Sequence, residues 1–171
     1  MKKEIHPTKL LPMARENQPF ELMKKTILLA DDDASIRAMV GRVLELENYN
    51  VVFACSGRDA TLRFMAGPPD LVLLDLNMPD KDGWEAWRLM NYWQRLVPVI
   101  VITARPHQYG QALQGKVDAL MEKPLDLRLL LETIQQLVAE PRAAHAARLS
   151  DPHFKTALLG VSAPADAKNN S

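Results

Sequence analysis

Five times between Thr26 and Ala139, a short apolar run is followed by a stretch with helical apolar spacing, and few folds accommodate that alternation. The runs are TILLA (26–30), VVFAC (51–55), LVLLD (71–75), VPVIVITA (97–104) and ALMEK (119–123). Each is too short for a helix and rich in aliphatic residues, so each reads as a strand buried on both faces. After the first run, Ile36, Met39, Val40, Val43 and Leu44 fall at the i, i+3, i+4, i+7, i+8 spacing of a helix. Gly57 to Met65 reads as a second, short helix stopped by GPPD (67–70), whose prolines cannot continue it. Trp84, Trp87, Met90 and Leu96 mark one side of a third helix, while the polar RPHQYGQALQGK (105–116) allows only a short fourth. Asp126 is placed to cap a fifth helix whose face is Leu127, Leu130, Leu131, Ile134, Leu137 and Val138. Parallel strands need crossover connections, and helices supply them on both faces of the sheet. An α/β fold is therefore expected.

The flanks differ from this pattern. Residues 1–24 read as a flexible N-terminal extension, 25–140 as the folded unit, and 141–171 as a tail. Within the tail a short helix is expected around 142–149, with the last ten residues disordered. Lys+Arg and Asp+Glu are both 21, so no overall positive field draws the chain to nucleic acid or anionic lipid. No apolar run nears the roughly 20 residues of a membrane span, and the single Cys55 has no disulfide partner. A cytoplasmic protein without a signal peptide is the expectation. Cys55 reads as a small buried hydrophobe, Trp87 as core, and Trp84 and Trp93 as structural packing, with partial exposure on a partner surface as the alternative. The four histidines show no metal-ligand spacing.

In an open parallel sheet the strand carboxyl ends share one edge, where ligands bind. To that edge the first strand brings Asp31, Asp32 and Asp33, the third Asp75, the fourth Thr103 and the fifth Lys123. Taken singly, Asp75 reads as a solvated strand end, Lys123 as a surface charge and Asp33 as a helix cap. Together they pose an electrostatic problem, because two carboxylates about 4 Å apart repel by roughly 4 kcal/mol at an effective dielectric of about 20. A hard divalent cation such as Mg²⁺ offsets that repulsion while keeping places for phosphate oxygens, and Lys123 offsets a further charge. One carboxylate oxygen is then free to attack phosphorus and form an aspartyl phosphate.

These residues resemble the receiver domain of two-component response regulators. ILLADDD (27–33) is similar to its first strand and acidic pair, LVLLDLNMPDKDGWE (71–85) to its phosphoacceptor segment, VIVITA (99–104) to its fourth strand, and MEKP (121–124) to its Lys-Pro turn. The likeness covers residues 25–140. It implies a flavodoxin-like doubly wound (βα)5 fold with a five-stranded parallel sheet in the order 2-1-3-4-5. It also implies that Asp75 is the phosphoacceptor, Asp32 a direct Mg²⁺ ligand alongside Asp75, Asp31 a ligand through water, and Asn77 a main-chain carbonyl ligand. Thr103 would bind the phosphoryl group, Lys123 would pair with it, and the bond to Pro124 would be cis. The implied partner is a histidine kinase or histidine phosphotransfer protein. Output by contact with a downstream protein or by passing phosphate along a relay, without an attached output domain and without direct nucleic-acid or membrane contact, is expected, and a phosphorylation-dependent dimer is admitted. The chain would not be an enzyme beyond slow self-catalysed phosphorylation and dephosphorylation.

Two positions depart from the family pattern. The aromatic switch three residues before the lysine falls on Leu120, and the position two beyond the threonine is Arg105. Two other readings stand beside this one. One is a receiver-like scaffold that is not phosphorylated. The other is an aspartate-nucleophile phosphatase with Asp31 as nucleophile, suggested by the Asp-x-Asp spacing. A nucleotide binder is disfavoured, since three carboxylates stand where such folds place a phosphate cradle.

Overall fold

The computed structural model describes residues 24–78, 83–105 and 107–160. The strands are β1 (Thr26–Ala30), β2 (Asn50–Ala54), β3 (Leu71–Asp75), β4 (Val99–Thr103), β5 (Ala119–Glu122) and β6 (Ala157–Leu159). The helices are α1 (Ala34–Leu46), α2 (Gly57–Ala66), α3 (Gly83–Trp93), α4 (Tyr109–Gly115), α5 (Leu127–Ala139) and α6 (Arg142–Ser150). All six strands pair in parallel, in the order β2-β1-β3-β4-β5-β6. The fold is the flavodoxin-like doubly wound sheet expected from the sequence.

Strand side chains alternate between two cores, as a period of two requires. Leu28, Val72, Leu74, Val101 and Leu120 face one side and pack with Phe64 of α2, with Trp84 and Met90 of α3 and with Ala112 of α4. Ile27, Leu29, Leu71, Leu73, Ile100 and Ile102 face the other and pack with Val40 and Leu44 of α1 and Leu130 and Ile134 of α5. Every residue of β3 and β4 is buried, which explains their unbroken apolar runs. The caps follow local chemistry: the Asp33 carboxylate accepts the Ser35 and Ile36 N–H groups, and Asp126 accepts that of Leu129.

Two expectations, the strand number and the burial of Cys55, are corrected. The sheet has six strands rather than five, because the chain turns back after α6 and its segment 157–159 pairs with the free edge of β5. Periodicity cannot mark a strand of three residues. Trp84 takes the packing role, 3% exposed: it lies in the first turn of α3, meets Trp87 edge-on at 6.1 Å, and donates its indole N–H to Gln108 Oε1 at 3.0 Å, whereas Trp93 is 60% exposed. Cys55 is exposed rather than buried, because the edge strand β2 ends one residue earlier at Ala54. No described helix is long and apolar enough to cross a membrane. The expectations for residues 1–23 and for the last ten residues lie outside the described residues.

Candidate functional site

Asp31 follows β1 directly and Asp75 ends β3, its neighbour in the sheet, so two carboxylates emerge side by side. Each is 1% exposed, a burial that neither charge tolerates alone. Lys123, just past β5, bridges them: its Nζ donates to Asp31 Oδ2 at 2.9 Å and to Asp75 Oδ2 at 2.7 Å. The remaining oxygens are held by backbone. Asp31 Oδ1 accepts the Asp33 N–H, and Asp75 Oδ1 accepts the Asn77 N–H, both at 2.9 Å. Arg37 donates to the main-chain oxygen of Asp31 at 2.7 Å, fixing the chain where β1 passes into α1.

The charges respond to this packing. Burial raises the pKa of Asp31, against the opposing pull of Lys123 and the Asp33 N–H. Burial acts to lower that of Lys123, but its hydrogen bonds to Asp75 and Asp31 outweigh this and raise it. The ammonium is therefore held firmly charged. Exposed Asp32 completes the acidic set, with one oxygen from each of Asp31, Asp32 and Asp75 lying within 4.8 Å of the others. Three hard oxygens at that spacing, one of them open to solvent, match the donors Mg²⁺ prefers, and the exposed side leaves room for waters and a phosphate oxygen.

Thr103 ends β4 next to Asp75 and is fully buried. Its Oγ1 accepts the Arg105 N–H at 2.9 Å, so the hydroxyl hydrogen remains available for a phosphoryl oxygen. The Lys123–Pro124 bond is cis, as expected. Asn77 Oδ1 is buried without a hydrogen-bond partner among the described residues, at the turn that follows Asp75. Leu120 is 1% exposed and belongs to the same core as Trp84 and Ala112, so an apolar side chain fills its position completely.

Residues 27–135 match the family described as the response regulator receiver domain. The chain belongs to the response regulator receiver family. Among relatives, the alkaline phosphatase synthesis transcriptional regulatory protein PhoP of Bacillus subtilis is 31% identical over 108 residues, 62% of this chain and 45% of that protein. The response regulator MprA of Mycolicibacterium vanbaalenii is 33% identical over 118 residues, 68% of this chain and 51% of that one. The chain thus spans about half the length of the curated relatives it matches. A CheY-like receiver domain protein from Methanospirillum hungatei superposes with a TM-score of 0.63 at 28% identity, covering 67% of this chain and 94% of that one. TrrA from Thermotoga maritima, solved in complex with Mg(2+)-BeF, gives 0.62 at 29% identity, covering 66% and 98%.

In this receiver domain the structure brings together Asp31, Asp32, Asp75 and Lys123, with Thr103 on the strand beside Asp75. Asp33 is turned to its capping role. Sequence reasoning passed over Gly83. A Cβ there would lie 2.4 Å from the Asp75 carbonyl oxygen and 2.7 Å from Leu76 Cα, so glycine lets α3 start directly against the end of β3. The signal was present as the glycine eight residues after Asp75, but no side-chain chemistry marked it.

Proposed function

We propose that this receiver domain accepts a phosphoryl group on Asp75 from a phosphohistidine of a histidine kinase or histidine phosphotransfer protein. The observation that carries the reading is the cluster of three aspartate oxygens with Lys123 bridging Asp31 and Asp75. An Asp75 carboxylate oxygen attacks phosphorus, the P–N bond breaks, and its electron pair returns to the imidazole of the donor. Lys123 leaves its contact with Asp75 to hold a phosphoryl oxygen, and the Thr103 hydroxyl donates to another. Asp31, Asp32, Asp75 and the Asn77 main-chain carbonyl would hold Mg²⁺, Asp31 through water, and the ion when bound supplies positive charge that offsets the clustered oxygens. TrrA, crystallised with Mg(2+)-BeF, supports that choice of ion.

For output we propose contact with a downstream protein or onward phosphotransfer rather than direct contact with nucleic acid. The formal net charge of zero supports this. The test is incubation with Mg²⁺ and acetyl phosphate. Acid-stable, alkali-labile label is expected on the protein, abolished by Asp75→Ala and by excess EDTA. Labelling that persists in Asp75→Ala would overturn the assignment. Absence of label together with retained partner binding would leave the non-phosphorylated scaffold, whose supporting feature is the buried Leu120. Steady hydrolysis of a phosphomonoester lost in Asp31→Asn but kept in Asp75→Ala would instead favour the phosphatase.

A further inference from the structure

At the end of the sheet opposite the aspartates, where β1, β3 and β4 begin, lies a cavity of about 340 Å³. Leu96, Val97, Leu137 and Val138 form its apolar wall, and Lys25, Arg142 and His145 contribute to its polar lining. Each carboxylate oxygen beside it already accepts a hydrogen bond. Asp70 takes the Lys25 ammonium at 2.9 Å and the Thr26 N–H at 2.8 Å, and Glu140 takes Arg148 through both oxygens at 3.0 and 2.7 Å.

The donors are not all engaged. Among the described residues, Lys25 uses one of its three ammonium hydrogens, and exposed Arg142 makes a single long side-chain hydrogen bond, 3.4 Å to Gln94 Oε1. Helix α6 starts at this cavity with Pro141 at its N-cap, which provides no side-chain cap, and the N–H groups of residues 142–144 have no backbone partner among the described residues. The decisive group is His145. Its side chain is 4% exposed and is fixed by Nε2 to Asp118 Oδ1 at 2.8 Å, yet it lines the cavity with Nδ1 unpartnered among the described residues. Asp118 from the start of β5, Arg148 on its own helix and Glu140 at the end of α5 surround the ring, with the Asp118 hydrogen bond favouring imidazolium. In that form Nδ1 is a donor as well.

We propose that this cavity binds a small organic anion. An oxyanionic headgroup, carboxylate or phosphate, sits against Arg142, His145 Nδ1 and the uncapped start of α6, and an apolar body lies on Leu96, Val97, Leu137 and Val138. Spare donors beside carboxylates that already accept hydrogen bonds favour negative charge, and a helix N-terminus adds its positive dipole end.

The test is titration of the ¹⁵N-labelled full chain with benzoate, phenyl phosphate, inorganic phosphate and benzylamine at constant ionic strength without Mg²⁺. At least one aromatic anion should bind with a Kd on the order of 1 mM or tighter, shifting the amides of Lys25, Gln94 and residues 142–145. Which of the two binds more tightly identifies the headgroup. Arg142→Glu, at an exposed position and with an unchanged circular dichroism spectrum, should weaken binding by about tenfold or more, the loss of a charge-assisted hydrogen bond. Four results overturn the proposal: neither aromatic anion binding, benzylamine or inorganic phosphate binding equally well, Arg142→Glu without effect, or shifts confined to the surroundings of Asp75.

Discussion

Lys123 stands between two carboxylates that are each almost fully enclosed, so its removal leaves both without a counter-charge. Unpairing a buried charge costs on the order of 3 kcal/mol or more. Lys123→Ala is therefore expected to lower the unfolding free energy from urea melts by about that amount in EDTA, with part of the loss recovered in saturating Mg²⁺. Equal losses under both conditions would show that no cation replaces the ammonium. His145 gives a second residue-scale expectation. Its pKa is raised, first by the hydrogen bond to Asp118, with burial opposing. A group whose folded value lies above its unfolded value of about 6.5 contributes stability that is complete below that pH. The contribution is lost as pH rises through the folded value. An NMR titration should place the His145 midpoint above 6.5, and the melting temperature should fall as pH rises through that midpoint. A midpoint below 6.5 would reverse the sign and sink the expectation.

At the scale of elements, the start of α3 is set by what it touches. Gly83 admits the helix against the Asp75 carbonyl and Leu76 Cα, both of them backbone that cannot swing aside. Gly83→Ala should cost roughly 1–3 kcal/mol, as overpacking does, and slow labelling by acetyl phosphate because the end of β3 must shift. A variant as stable and as reactive as the parent would show that α3 moves freely. Helix α6 is anchored by Asp118, which accepts His145 Nε2 and Arg148 Nη2 on one oxygen and the Val99 N–H on the other. Its main-chain oxygen also accepts the Ala157 N–H, so one residue ties β4, β5, α6 and β6. Leu149 is 4% exposed on the same helix. Leu149→Ala should cost about 2–4 kcal/mol and speed hydrogen exchange in β5 and β6 more than in β1.

At the scale of the molecule, the two ends of one parallel sheet carry different chemistry. The carboxyl ends of β1, β3, β4 and β5 gather acids, a hydroxyl and an ammonium, as expected where ligands meet such sheets. The amino ends, closed by α6, gather spare donors around a cavity. β6 also covers an edge of β5 that would otherwise present unpaired backbone groups.

Much of this was legible in the sequence. The runs TILLA and LVLLD had to be buried strands, and Asp33 and Asp126 had to cap helices, because burial periodicity and local hydrogen bonding act between near neighbours in the chain. The aspartates, Thr103 and Lys123 could be assigned to one edge because parallel strands end together. Tertiary structure alone decided the rest. β6 exists because the edge of β5 is there to pair with, Trp84 is buried because Gly83 lets α3 close in, and His145 finds Asp118 across 27 residues. Such contacts depend on distances set by packing between elements, and no spacing along the chain encodes them.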